Sequence, residues 1–580
     1  MRSNRRAFMG LCAVGTGGLV AGCTGMPWER GDSGKVDDWQ YTPDEEDPDG
    51  WSFGGGSDDS GLEMLASAPV ADADESIGLA AGGAADIGTF RRNVSEGYLP
   101  IPESMAYEGL FGEYYFDVGG DGSCASLFCP TYTPAVSPDP LSGETREYLS
   151  VGLDSGLSQS EFERPPLNLV VVLDISGSMN ASFAEYYYDV NGGEYYYDEN
   201  GNRQEPDGGT DRPKMDVAKD ALVDLTHHLR PEDRLGVVLF NHEAHLAKPL
   251  RLVGETDMDA IRGHIQEDVL ANGGTNISDA MAMSQDLMSE YSNPGEYENR
   301  SILLTDAQIN WGETDADEIR TSLDQNADEG HHTSVVGIGV DFNADLISQI
   351  TGIRGANYYS IYTEDEFERR MDEEFEYMVT PLVYDLSLEL DADGYEIARV
   401  YGTNAPDEAT GELMHVPSLF PSPRADGEAR GGVVLVEIEE TGAGTDDETL
   451  ELEASWETRD GTQDSTVETI SFPDEDETYG NDAVRKAVLL ARYADLLRNW
   501  TVYEREETLV AEVEGIADPP GDDRLSEWEL QSEPLVVSER YESRIGSFRE
   551  HFADEKAAIG DEDLTQELEL MDAILAAGGD

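Results

Sequence analysis

The 580-residue chain is poor in basic residues, and lysine is the scarcest of them. It has 37 Lys and Arg against 122 Asp and Glu, which gives a net charge of −85. The lysines are Lys35, Lys214, Lys219, Lys248, Lys486 and Lys556. In ordinary salt such a chain would repel itself, whereas molar salt shortens the Debye length to roughly 3 Å. The sequence has no basic patch to offset phosphate repulsion, which excludes nucleic acid as a partner.

Cysteine is also scarce, with four residues in the whole chain, at 12, 23, 124 and 129. Cys124 and Cys129 stand in a segment rich in Gly and Asp, without further Cys or His nearby to complete a zinc site. Their spacing can close a small loop, so we expect a disulfide between them if the chain is exported. Long apolar runs are missing as well, and Gly10–Val20 is too short to span a bilayer.

The most informative feature is a continuous apolar run, Leu167–Leu173, that ends in a cluster of oxygen-bearing side chains. A run of this length, rich in Val and Leu, predicts a fully buried strand of a parallel sheet. Asp174, Ser176 and Ser178 follow at alternate positions, where open α/β sheets place their ligand sites. Their hard oxygens suit a divalent ion such as Mg²⁺ or Ca²⁺.

Two further segments supply matching residues in the same order along the chain. Thr275 follows Gly273 and Gly274 just before a predicted helix, and Asp306 ends the predicted strand Arg300–Asp306. With Asp-x-Ser-x-Ser at 174–178 these residues resemble the metal-ion-dependent adhesion site of von Willebrand factor type A domains. The resemblance implies a divalent metal held by Asp174, Ser176, Ser178, Thr275 and Asp306. Mg²⁺ is the expected ion, with Ca²⁺ or Mn²⁺ as alternatives.

The resemblance also implies what such a site does. Hydroxyl ligands leave a divalent cation much of its charge, so it binds an Asp or Glu exposed on a partner protein. No His or Glu stands at a fixed offset from the motif to activate water, and we therefore expect no enzyme activity. An accessory subunit of a transporter or channel complex is the alternative function, and a hydrolase is a distant third.

The amino terminus predicts export and a lipid anchor. Arg5-Arg6 before an apolar stretch resembles a twin-arginine translocation signal, and Val20–Cys23 resembles a lipobox, in which Cys23 receives the lipid. The protein is then a lipoprotein on the outer face of the cell membrane. The acidic surface and lysine deficit resemble those of haloarchaeal, halophilic proteins.

Composition and periodicity divide the chain into six segments. They are an export signal peptide (1–22), a disordered acidic, Gly-rich tether (23–88), an amino-terminal region (89–163), the type A domain (164–381), a β domain (382–474) and a helical region (475–580). Alternating strands and helices predict a doubly wound α/β type A domain, and the period-two pattern after Pro381 predicts an antiparallel β-sandwich-like domain. Phe90–Pro100 and the aromatic residues after it resemble the YfbK-like lipoproteins, which also carry a type A domain.

An insertion with an internal duplication follows the first metal-site segment. It contains two tyrosine triplets, each followed by an Asn-Gly pair that predicts a hairpin turn. The tyrosines are Tyr186, Tyr187, Tyr188, Tyr195, Tyr196 and Tyr197. Because tyrosine is enriched at interfaces, these side chains could contact the partner beside the metal, or the hairpins could simply be solvated decoration.

Overall fold

The computed structural model describes residues 35–43, 78–81, 87–181, 196–197, 203–204, 212–338, 352–515 and 533–578, with shorter gaps inside the longer stretches. The proposed signal peptide and Cys23 lie outside these residues. Among the described helices, none combines the length and apolarity needed to cross a membrane.

A six-stranded sheet lies at the centre of the type A region. In chain order its strands are β1 (Leu167–Asp174), β2 (Arg234–Phe240), β3 (Ala244–Leu252), β4 (Glu298–Thr305), β5 (His331–Ile338) and β6 (Asn357–Ile361). The spatial order is β3-β2-β1-β4-β5-β6, and every neighbouring pair is parallel except β3 with β2. The helices are α1 (Lys214–Leu225), α2 (Met258–Asp268), α3 (Ile277–Ser289), α4 (Glu313–Asp328), α5 (Glu364–Met371) and α6 (Phe375–Met378), with short 3₁₀ turns at Gly177–Asn180 and Val253–Glu255.

The central strand β1 contributes side chains to two hydrophobic cores, one on each face of the sheet. Leu169, Val171 and Leu173 pack into the core that includes α1 and α2, whereas Val170 and Val172 pack into the core that includes α3. Successive side chains of a strand point to opposite faces, so a strand covered on both faces must be apolar throughout. The predicted doubly wound α/β fold is confirmed.

A β-sandwich-like pair of antiparallel sheets follows, as predicted for the region after the type A domain. One sheet orders Gly78–Ala81, Glu412–Ser422, Val383–Ala392, Leu450–Thr458 and Gln463–Ile470. The other orders Tyr395–Tyr401, Val433–Glu440, Thr145–Ser155, Phe128–Pro138 and Thr478–Tyr479. The predicted boundary 382–474 is therefore too narrow, because long strands from the amino-terminal region complete the second sheet. Cys129, in the first of these long strands, forms the expected disulfide with Cys124.

The carboxyl-terminal region is helical, as predicted, and packs on the amino-terminal region. Its helices are Asp482–Gly515, Glu539–Ile559 and Thr565–Ala577, and those of the amino-terminal region are Gly88–Ser95 and Tyr107–Gly112, with a 3₁₀ turn at Pro102–Ser104. Short strands in these regions pair Tyr98–Leu99 with Glu533–Pro534, and Tyr115–Phe116 with Glu428–Arg430, which pairs in turn with Arg424–Ala425. Both regions share one core around Phe90, Trp500 and Phe552, so they fold as one unit.

Residues 35–43, which we name the amino-terminal strap, pack on the type A region. The prediction of a disordered tether over 23–88 is therefore wrong for these residues. The strap lies along β3 and α2, where the amide of Gln40 donates to the carbonyl of Ala247 at 2.7 Å. Asp38 is fully buried against the Lys248 ammonium at 3.5 Å and Arg251 at 2.8 Å. Burial lowers the pKa of Lys248 to about 8, although Asp38 opposes the shift. The composition of this segment predicted disorder because it contains few apolar residues, and composition gives no sign that Asp38 forms a buried ion pair.

Glu298, at the start of β4, joins the type A domain to the sandwich. Its carboxylate accepts hydrogen bonds from Arg300 at 3.0 Å, from Arg459 of the sandwich at 2.9 Å and from His332 at 2.8 Å. Burial alone would raise the pKa of Glu298, but the charge and hydrogen bond of His332 and the two arginines outweigh it and lower the pKa to about 2. The interface therefore depends on an ionised glutamate.

Replacing Glu298 by Gln should remove a pH-dependent part of the stability. Because the folded pKa lies below the ordinary value of 4.5, the contribution is complete above about pH 4.5 and is lost as the pH falls through about 2. Between pH 6 and pH 3 the difference in unfolding free energy between wild type and Glu298→Gln should shrink by about 2 kcal/mol. Urea unfolding in molar KCl measures it, and a constant difference would contradict the assignment.

Asp38→Ala should destabilise the chain by about 3 kcal/mol, because it leaves the buried Lys248 without its partner carboxylate. Asp259→Ala is the matched control, since Asp259 pairs with Arg262 at an exposed position and such pairs contribute at most about 1 kcal/mol. Denaturant unfolding in molar KCl compares the two variants. Equal, small losses would show that the strap does not hold Lys248.

Candidate metal site

Asp174 lies at the carboxyl end of β1 and is completely buried. One carboxylate oxygen accepts the backbone amide of Ser176 at 2.8 Å, and the other accepts the hydroxyl of Thr305 at 2.6 Å. Thr305 is the last residue of β4, the parallel neighbour of β1. The orientation of the Asp174 carboxylate is therefore fixed by groups at the ends of two neighbouring strands, β1 and β4.

A chain of hydrogen-bonded oxygens continues from the same strand end. The hydroxyls of Ser176 and Ser178 lie 3.0 Å apart, and the Ser178 hydroxyl donates to Oδ1 of Asp306 at 2.8 Å. Asp306 directly follows β4 and is 8 % exposed. Four of the five predicted metal ligands thus converge at one edge of the sheet, as the parallel order of β1 and β4 requires.

The fifth residue, Thr275, lies on the loop 270–276 at the same edge, and its side chain is exposed. The loop is held against the first segment by two backbone hydrogen bonds, from Gly177 to Gly273 at 3.0 Å and from Asn272 to Ile175 at 2.7 Å. Within the described residues, the Thr275 hydroxyl makes no hydrogen bond to the other four residues. The structure therefore brings its loop to the site without joining its side chain to the oxygen chain.

The electrostatics of this edge favour a cation. Burial raises the pKa of Asp174 to about 7, and the charge of Asp306 adds to the increase, while hydrogen bonds from Thr305 and Ser176 oppose it. Two carboxylates so close together in a dry environment are costly unless positive charge neutralises them. In the part of the chain that the structure describes, no three His, Cys, Asp or Glu side chains cluster as metal ligands. A divalent ion here would bind hydroxyl oxygens beside two carboxylates, a donor set that suits Mg²⁺.

Sequence reasoning missed Lys214, which lies at the start of α1. Its ammonium donates to Oδ2 of Asp306 at 3.2 Å, and its side chain is 5 % exposed. The periodicity of 214–229 identified the helix, but no pattern placed this side chain at the site. The scarcity of lysine in the chain is the one signal that could have drawn attention to it.

His242, on the turn between β2 and β3, was missed as well. Its Nδ1 lies 2.9 Å from the position that a Cβ on Gly273 would occupy, so it stands at the rim of the site. The residue is largely exposed, and its ring lies 3.8 Å from the carboxylate of Glu243. Turns of this kind carry no periodic signal, and the approach to Gly273 depends on the packing of two loops.

The other predicted residues are only partly described. Tyr196 and Tyr197 form a short strand paired with Arg203–Gln204, which confirms the hairpin at the second Asn-Gly pair. Tyr186, Tyr187, Tyr188 and Tyr195 lie outside the described residues, as does the proposed lipidation site Cys23.

Comparison with known proteins identifies the domain that carries the site. Residues 169–308 match the von Willebrand factor type A domain. The chain is similar to inter-alpha-trypsin inhibitor heavy chain H4 of Bos taurus, with 24 % identity over 187 residues, and to heavy chain H2 of Mesocricetus auratus, with 25 % over 175 residues. These matches cover 32 % and 29 % of this chain, and 20 % and 18 % of the relatives' own length.

Solved structures are similar over a larger share of the chain. A von Willebrand factor type A protein from Catenulispora acidiphila has a TM-score of 0.38 at 14 % identity and covers 72 % of this chain and 97 % of its own. The ArnB paralog VWA2 from Sulfolobus acidocaldarius has a TM-score of 0.33 at 12 % identity, with coverages of 78 % and 98 %.

Gly273→Ala should displace the loop that carries Thr275. Gly273 has a φ of +82°, and an added Cβ would meet His242, so the substitution should cost about 1 kcal/mol and weaken Mg²⁺ binding severalfold. Gly274→Ala is the control, because its Cβ would meet nothing within 4 Å. Titration calorimetry with MgCl₂ and thermal unfolding compare the pair. Identical behaviour of both variants would argue against this placement of the loop.

Proposed function

Because residues 169–308 form a von Willebrand factor type A domain, we propose that the protein binds an acidic group of a partner protein through a divalent metal ion. Such domains commonly mediate protein–protein interaction. The observation that carries the proposal is a hydrogen-bonded set at the carboxyl edge of the sheet. It runs from Asp174 through the backbone amide and hydroxyl of Ser176 and the hydroxyl of Ser178 to Asp306.

The chain's own residues prepare this site for binding. Asp174 and Asp306 neutralise part of the ion's charge, and Ser176, Ser178 and Thr275 offer neutral oxygens. When bound, the ion supplies a positive charge that a carboxylate from outside can complete. The backbone bond from Gly177 to Gly273 keeps the loop of Thr275 beside the serines. The ligand is held in place and no bond is cleaved, so the site is a binding device.

We further propose that the protein acts as a lipoprotein on the outer face of the membrane, in adhesion or in assembly of an envelope complex. The paired arginines at 5–6 and the lipobox ending at Cys23 support export and lipid attachment. The acid-rich, lysine-poor composition supports a halophilic setting, in which molar salt screens the exposed carboxylates. The resemblance of the amino-terminal region to YfbK-like lipoproteins is consistent with this location.

Asp174→Ala should abolish specific Mg²⁺ binding, because it removes a buried carboxylate that faces the ion. Titration calorimetry of the exported chain in molar KCl measures the affinity, since high salt suppresses weak binding to the many surface acids. We expect a loss of at least tenfold, whereas Asp259→Ala, on the exposed side of α2, should bind like wild type. Repeating the titration with Ca²⁺ and Mn²⁺ tests the choice of ion.

A crosslinking pull-down in high salt then compares wild type, Asp174→Ala and wild type with chelator. Partner recovery should fall in the last two samples alone. Equal recovery in all three would remove metal-dependent binding from the account, while unchanged Mg²⁺ affinity in Asp174→Ala would move the metal away from this site.

A further inference from the structure

Lys214 places an ammonium group inside the candidate metal site. Its ammonium lies 3.2 Å from Oδ2 of Asp306, and the two side chains are 5 % and 1 % exposed. The other oxygen of Asp306 accepts the Ser178 hydroxyl. Both oxygens of this carboxylate are therefore engaged before any metal binds, one of them by a cation.

We propose that Lys214 is an internal counter-cation that weakens the binding of the divalent ion alone and couples it to the binding of an anionic partner group. The inference rests on the proposed function, because it concerns the same metal site. In this proposal, Lys214 sets both the affinity of the site for the metal and the affinity of the metal-loaded site for the partner's carboxylate.

The formal charges of the buried groups explain both effects. With both aspartates ionised, Asp174 and Asp306 contribute −1 each and Lys214 contributes +1, so the site without metal carries −1. A divalent ion changes this to +1, whereas a site with the same two aspartates and no lysine would become neutral. The lysine thus repels the incoming ion and leaves the loaded site with a net positive charge that favours a carboxylate.

The surroundings keep this charge effective in strong salt. Salt screens exposed charges within a few ångströms but acts much less on buried pairs. Lys214 is held in position at the base of α1, where its backbone amide donates to the carbonyl of Ala181 at 2.9 Å, and its neighbour Met215 packs in the core. Because the backbone of Lys214 is held and its side chain is 5 % exposed, the ammonium lies in buried surroundings beside Asp306.

Variants of Lys214 test the inference by calorimetric titration with MgCl₂ in molar KCl. Lys214→Met removes the charge at similar length, and Lys214→Gln removes it but keeps a hydrogen-bond donor for Asp306, in case the first variant fails to fold. Lys214→Arg keeps the charge. Lys219→Met is the matched control, because Lys219 lies on the same helix and pairs with Asp216 instead. Thermal unfolding confirms that each variant is folded.

Both neutral variants should bind Mg²⁺ at least tenfold more tightly than wild type, whereas Lys214→Arg and Lys219→Met should stay within threefold of it. The second measurement repeats the titration with N-acetylglutamate α-amide, which carries one carboxylate. This probe should tighten Mg²⁺ binding to wild type, and it should do so less in the neutral variants. Both results together would support the coupling.

Unchanged or weaker Mg²⁺ binding in a folded neutral variant would overturn the role of Lys214 while leaving the metal site itself intact. The two proposals are separated by Asp174→Ala. If wild type, the Lys214 variants and Asp174→Ala all bind Mg²⁺ alike, the metal is not at this site, and both the proposed function and the counter-cation inference fail.

Discussion

Every carboxylate that this chain buries has to be stabilised by a nearby positive charge or by hydrogen bonds, and positive charges are few. Among the described residues, the buried carboxylates with basic partners include Asp38, Asp233, Asp306, Glu298, Glu374, Glu437 and Glu567. Several of these pairs join separate parts of the molecule. Arg459 links the sandwich to the type A domain through Glu298, and Arg91 links the amino-terminal region to the last helix through Glu567. Breaking a buried pair costs several kcal/mol, so these contacts decide how the units assemble.

The same constraint explains where the lysines are. Lys214, Lys219, Lys248 and Lys486 are each at most 9 % exposed, although lysine is normally a surface residue. Surface positions in this chain are dominated by acids, which stay hydrated and are screened when salt is concentrated. The lysines that remain are mostly those whose charge has a partner inside the fold. Lys486, for example, lies 2.7 Å from Asp561 and donates to the carbonyl of Tyr115.

At the candidate metal site, the buried negative charges are not fully compensated by basic side chains. Among the described residues, Asp174 contacts hydrogen-bond donors but no basic side chain, and burial together with the charge of Asp306 raises its pKa. Asp306 has one basic partner, Lys214, so the two carboxylates of the site, Asp174 and Asp306, share a single positive charge. In the function that we propose, this uncompensated negative charge attracts a divalent ion, and the remaining charge of the ion binds a carboxylate of the partner.

The sequence by itself determined the type A fold and the residues Asp174, Ser176, Ser178 and Asp306. Buried parallel strands have a local apolar signature, and their carboxyl ends necessarily meet at one edge of the sheet. The tertiary structure alone decided the contact of Lys214 with Asp306, the docking of residues 35–43 and the contribution of Phe128–Pro138 and Thr145–Ser155 to the sandwich. These features pair residues far apart in the chain, and no local periodicity records which distant charge or strand edge a residue will meet.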